Sequence, residues 1–350
     1  MNRRQMLTAS LGAALLGFAM TAAPAIAVEP SKITPQLIEA AKKEGKVVFY
    51  TSVEVRVAEK IAKAFEAKFP GVSVQVERSG SERIFQRLGQ ESMSNIHAAD
   101  VVSTSDAAHF VIWEREGILA PHVPEDVALH FPAEQRDPNG TYASWRVSLS
   151  PMGYNTKLVK ADEAPKGYRD LLDPKWAGKL VKASPSYSGT ALTATYQIAR
   201  DLGWEYLEKL SKQRVMQVQS STEPPKKLSL GERAVMVDGN EYVLLALKEA
   251  GNPVDFIYPV EGTPLIISPS AILKTAPHPN AARLFQNYLF TREAQQLLID
   301  EGGLRSFHDQ AKDRPDLPAF KDIKVMKEDA KAVADQAESI KKRHSRYFGT

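Results

Sequence analysis

The sequence predicts an α/β protein built from helix-covered sheets. Its opening third alternates strand and helix patterns three times, β-α-β-α-β-α, as a parallel sheet with crossover helices requires. A second succession of strand, loop and helix fills the middle of the chain. With 350 residues and 43% hydrophobic content, the chain can bury two cores, and its length favours two domains over one.

KVVFYTS (Lys46 to Ser52) is a continuous apolar run with β-branched and aromatic residues, which reads as a buried strand. EVRVAEKIAKAFEAKF then repeats Val57, Ile61 and Phe65 at a four-residue spacing, an amphipathic helix ended by Pro70-Gly71. VSVQVER alternates Val72, Val74 and Val76 and is a strand; SERIFQRLGQE is a second helix with Ser81 as its expected cap. ADVVSTSD is a third strand running into a hydroxyl-rich loop, and AAHFVIWEREG a third helix. The middle part opens with a strand pattern in SWRVSLSPMGYNTKLV, followed by a short helix and a strand at Lys179 to Lys182. ERAVMVDGNEYVLLALKEAG repeats strand, loop and helix, and VDFIYPVEGTPLIISPSAILK reads as one long strand passage. PNAARLFQNYLFTREAQQLLIDEGG is a helix pair, begun by Pro and closed by Gly. The charged tail from Pro315 carries a last helix near Lys327 to Lys342.

The first residues assign the compartment. Arg3-Arg4 precede an apolar run from about Leu11 to Met20, which closes on Ala25-Ile26-Ala27, the pattern of a cleaved export signal. The run is too short for a comfortable membrane span. Paired arginines before Gln5-Met6-Leu7 match the twin-arginine route to the periplasm. Removing residues 1 to 27 takes away two arginines and no acid, so the net charge falls from +3 to +1. Near-neutral charge offers no footprint for nucleic acid or acidic membranes. The chain has no cysteine, which excludes thiol chemistry and cysteine-held zinc.

Ligands of such sheets sit outside the carboxyl ends of the strands. Here those ends carry YTSVE, ERSGSER and VVSTSD, three hydroxyl-bearing loops on one rim. A fourth, ASPSYSGTA (Ala183 to Ala191), stands before the helical run LTATYQIARDLG. It suits a nucleophilic serine, an anion held by free N–H groups at a helix start, or an ordinary cap. A serine hydrolase would need a base, yet no histidine is close in sequence and no G-x-S-x-G is present. An enzyme is therefore not expected, nor a cofactor.

MGYNTKLV followed by APKGYRDLLDPKWAGKL resembles the signature of bacterial extracellular solute-binding proteins, the receptors of ABC importers, and within them the ferric-iron-binding branch. VDGNEYVLLAL stands where that branch has a paired-tyrosine stretch, and HPNAARLFQNYLFTREAQQLL is similar to its helix after the second crossing. The resemblance implies the type II periplasmic binding fold: two α/β lobes joined by crossing segments, with ligand in the cleft. Residues 28–147 and 266–314 would form lobe I, 148–265 lobe II, and 315–350 a helical tail. It implies an inner-membrane permease as partner, a monomer, and an anion subsite at the Ser188-Gly189 pair.

The ligand class stays open between two readings. Ferric iron needs hard anionic oxygens, and the family brings two adjacent tyrosines; this chain offers Glu241 and a single Tyr242, with Glu54 and Glu82 at helix starts. An oxygen-rich anion (phosphate ester, phosphonate or carboxylate) suits the donors better. The expected contacts are Thr51, Ser52, Ser81, Arg83, Ser103, Thr104, Ser186, Ser188, Gly189, Thr190, Glu241 and Tyr242. Ser79 and Arg78 are further donors, and Trp145 is either a pocket wall or core.

Overall fold

The computed structural model describes residues 28–349, so the expected export signal lies outside the described residues. In chain order the elements are β1 (Pro30–Ser31), α1 (Pro35–Glu44), β2 (Lys46–Thr51), α2 (Val55–Lys68), β3 (Ser73–Arg78), α3 (Ser81–Met93), β4 (Val101–Ser103), α4 (Ala107–Arg115), β5 (Val123–Pro124) and α5 (Glu125–His130). Next come β6 (Ala143–Leu149), β7 (Met152–Asn155), β8 (Leu180–Ala183), α6 (Gly189–Leu202), α7 (Trp204–Ser211), β9 (Met216–Val218), α8 (Glu223–Ser229), β10 (Val235–Met236) and α9 (Glu241–Glu249). The chain finishes with β11 (Val254–Ile257), β12 (Thr263–Ile272), α10 (Pro279–Phe290), α11 (Arg292–Asp300), β13 (Val325–Met326) and α12 (Ala330–Phe348).

Two separate sheets make two lobes. The first runs β13-β12-β4-β2-β3 with β6 paired to β12; the second runs β11-β7-β10-β8-β9. The β2–β3 and β2–β4 pairs are parallel, as are β8–β9 and β8–β10. Each lobe has its own core: Phe49, Phe65, Trp145 and Phe285 in the first, and Tyr168, Leu180, Ile198 and Leu207 in the second. Trp145 is fully buried with its ring edge-on to Phe49 at 5.6 Å, so it is core rather than pocket wall.

The chain crosses between the sheets at residues 150–151 and again at 258–262. The second crossing divides the passage read as one strand. Its first part, β11, pairs with β7 in lobe II; its second, β12, pairs with β6 in lobe I. Gly262, at φ 131°, makes the turn, a conformation closed to side chains with a Cβ. Pro269 is tolerated inside β12 because the β6 register shifts there.

Two expected boundaries move. Gly80 takes the N-cap position of α3, because the Ser81 hydroxyl is spent on Ser105 at 2.7 Å. The last helix runs six residues beyond Lys342, ending on Gly349 in the left-handed region. Its extra length buries His344 and packs Tyr347 and Phe348 against the lobe II core.

Candidate functional site

The loops after the parallel strands of both sheets meet in one cleft. From lobe I come Ser52 after β2, Arg78 and Ser81 around the end of β3, and Ser105 after β4. From lobe II come Tyr187, Ser188 and Thr190 after β8, the Ser220-Ser221-Thr222 run after β9, and Asn240 after β10. These side chains close around a cavity of about 20 Å³, room for little more than one water-sized group in this arrangement.

Hydroxyl groups define its polarity. Ser188 and Ser221 lie 2.8 Å apart, and Ser188 also caps α6 by accepting from the Ala191 N–H at 3.3 Å. The start of α6 thus points free amides and partial positive charge at the cleft. Gly189 allows the lobes to meet there: a Cβ on it would stand 2.5 Å from Asp106 Cβ and 3.1 Å from Ser81 Cβ. Ser188 is hydrogen-bonded to the Ser221 hydroxyl and the Ala191 amide, and no imidazole among the described residues bonds to it.

Behind Ser52 lies Arg146, in the middle of β6. It is 2% exposed, and its Nη2 donates to Ser52 Oγ at 3.4 Å. Its Nε has no protein partner, and no carboxylate pairs with it among the described residues. Burial pulls its pKa down to about 10, opposed by Tyr242 and reinforced by Arg78. Arg78 is exposed at the rim, with its Nε 3.4 Å from the Val53 carbonyl. A guanidinium taken out of water without an anion is costly.

The expected contacts divide. Ser52, Ser81, Ser188, Gly189 and Thr190 converge on the cleft. Thr51 is buried below it, accepting from the Val53 N–H. Thr104 bonds the Asp106 carbonyl and His109, and Ser186 lies beside Ser184. Ser103 is buried in β4 without a partner. Arg83 spans the two lobes from the outside, donating to Gln219 Oε1 at 3.0 Å. Glu241 is bound bidentately by Arg305 and accepts from Tyr258, which occupies both its oxygens. Tyr242 lines a neighbouring hollow of about 180 Å³ with Glu54 and Lys226. Its hydroxyl titrates above the ordinary range because burial outweighs Arg146 and Arg78. Sequence reasoning missed Arg146, Ser105, Ser221, Thr222 and Asn240. For Arg146 the one available signal was a charge inside the strand pattern SWRVSLS.

Residues 98–331 match the family model described as "Bacterial extracellular solute-binding protein". A provisionally named 2-aminoethylphosphonate-binding periplasmic protein of Salmonella typhimurium is 27% identical over 241 residues, 65% of this chain and 67% of that one. Iron uptake protein A1 of Synechocystis sp. is 25% identical over 246 residues, 65% and 66% of the two chains. The periplasmic binding protein AfuA of Actinobacillus pleuropneumoniae, solved with fructose-6-phosphate, superposes with a TM-score of 0.80 at 23% identity, covering 87% of this chain and 99% of that one. Two lobes, each a helix-flanked sheet, with polar strand ends facing across a cleft and a family match over two thirds of the sequence, make this chain a member of the bacterial extracellular solute-binding proteins.

Proposed function

We propose that this periplasmic solute-binding protein of an ABC importer captures a small oxygen-rich anion, a phosphonate or phosphate ester in the first instance. The carrying observation is Arg146, a buried guanidinium without a carboxylate. Among the described residues the other arginine buried to that degree, Arg305, has Glu241. An anion in the cleft would offset the desolvation of Arg146 through Ser52, accept from the hydroxyls of Ser188 and Ser221, and face the α6 start. The relative named for 2-aminoethylphosphonate supports this reading.

The mechanism follows from the geometry. Neither lobe alone surrounds the cavity, so a guest makes its full contacts only when the lobes are closed. It therefore shifts the population toward the closed form, which docks on the permease. Micromolar affinity corresponds to about 8 kcal/mol, within reach of several charge-assisted hydrogen bonds in a closed cleft. Export by the twin-arginine route and a monomeric state complete the reading.

A second reading, ferric iron or an iron–anion complex, has support from the Synechocystis relative. A thermal-shift screen separates the two, using inorganic phosphate, 2-aminoethylphosphonate, fructose 6-phosphate, citrate and ferric chloride. Stabilisation by phosphorus oxyanions without iron is the expected result. Stabilisation by the ferric salt alone, with a visible charge-transfer band, would replace the anion by iron.

A further inference from the structure

Directly behind the cleft, four charged side chains from three elements form one network. Glu82, in the first turn of α3, faces His109 of α4, Oε1 to Nε2 at 3.1 Å. Its other oxygen accepts from Lys341 of α12 at 2.8 Å. Asp106 Oδ2 lies 3.6 Å from the same His109 nitrogen and has no hydrogen-bond partner. Glu82, Asp106 and His109 are all at most 3% exposed.

The three lobe I groups have the makings of a cation site, since their ligand atoms lie within 4.8 Å of one another. The positive charge is already supplied by the protein. Nε2 faces the Glu82 carboxylate and Nδ1 lies 3.2 Å from the Thr104 hydroxyl; although burial opposes its charge, the neighbouring Asp106 and Glu82 raise the His109 pKa. Lys341 brings a second cationic group to Glu82.

The network also joins the lobes. Helix α12 packs on α6 and α7 of lobe II, and Arg343 lies over the Trp204 ring at 4.6 Å. Its other side meets lobe I through α4, where Ala108 shares an apolar cluster with Leu192, Tyr196, Val333 and Ile340. Asp106, held by the network, is the residue against which Gly189 closes.

We propose that Lys341 is a positioning residue for the cleft: from α12 it reaches Glu82 and latches lobe II onto lobe I in the closed form. The latch is independent of which guest is bound, so it goes beyond the anion reading. Every charge facing His109 belongs to it: Asp106 on its own loop, Glu82 on α3 and Lys341 on α12. Glu338 acts on Lys341, and Glu328 acts on Asp106. The rings of Phe85 and Trp113 cover the imidazole.

Small-angle scattering of the guest-free protein tests it. The wild type should be compact. Lys341→Met should lower the closed-to-open ratio roughly tenfold, the scale of a lost charge-assisted hydrogen bond, while circular dichroism shows it still folded. Lys341→Arg should restore compaction. If Lys341→Met scatters like the wild type, the latch does not exist. If only the circular dichroism melting point moves, the network is structural and the proposal falls.

Discussion

Arg305 grips Glu241 with two parallel hydrogen bonds, Nε to Oε2 at 3.0 Å and Nη2 to Oε1 at 2.9 Å. Both side chains are at most 3% exposed, and Tyr258 adds a third bond at 2.6 Å. Glu241 begins α9 of lobe II, whereas Arg305 is held to the lobe I strand β6 through mutual backbone bonds with Val147 at 2.9 Å. The pair fastens lobe II to lobe I.

Replacing Glu241 by Ala leaves a buried guanidinium without its anion. Such losses cost about 3–5 kcal/mol. The midpoint of urea unfolding should fall accordingly, and a fall below 1 kcal/mol would mean that Arg305 finds another partner.

Arg146 gives the opposite expectation. In the guest-free protein its charge is uncompensated, so Arg146→Met should hold or raise stability, by up to about 2 kcal/mol. The same variant should lose the thermal shift produced by 2-aminoethylphosphonate. Destabilisation together with an intact shift would show that Arg146 serves packing rather than binding.

Gly189→Ala tests the closure contact. The added Cβ would meet Asp106 Cβ at 2.5 Å, and neither group is the end of a flexible chain. Guest affinity should fall at least tenfold, about 1.4 kcal/mol, while the melting point of the guest-free protein changes little. Isothermal titration and a melt together decide it.

Glu328, behind the hinge strands, titrates near pH 7 because burial disfavours its charge and Asp106 and Asp329 repel it, against a bond from Ala330. Its folded pKa exceeds the unfolded value, so the protein loses stability as pH rises from about 4.5 through 7. Glu328→Gln should remove that loss and stabilise by about 1–2 kcal/mol at pH 8, after allowance for solvent screening, with no gain at pH 4.5. Urea titrations at the two pH values read the difference.

Much of the fold was legible because its determinants are local. Val57, Ile61 and Phe65 lie on one face of α2, as their spacing requires, and all three are buried. The hydroxyl loops at the ends of β2, β3 and β4 reach the cleft because parallel strands in one sheet end on one rim. The error over β11 and β12 has a local cause too: a run of apolar residues carries no mark of the sheet it will join. Ser81 was assigned a cap that Gly80 provides, since its hydroxyl has a partner in Ser105, 24 residues away.

By itself the sequence determined the alternation of strands and helices and the polar character of the strand ends, each encoded within a few consecutive residues. Only the tertiary structure decided which charges are already spent. Glu241 is neutralised by Arg305 across 64 residues, Glu82 by Lys341 across 259, and Arg146 by no carboxylate among the described residues. Pairing of charge depends on distance in space, and only the packing of the two lobes sets that distance.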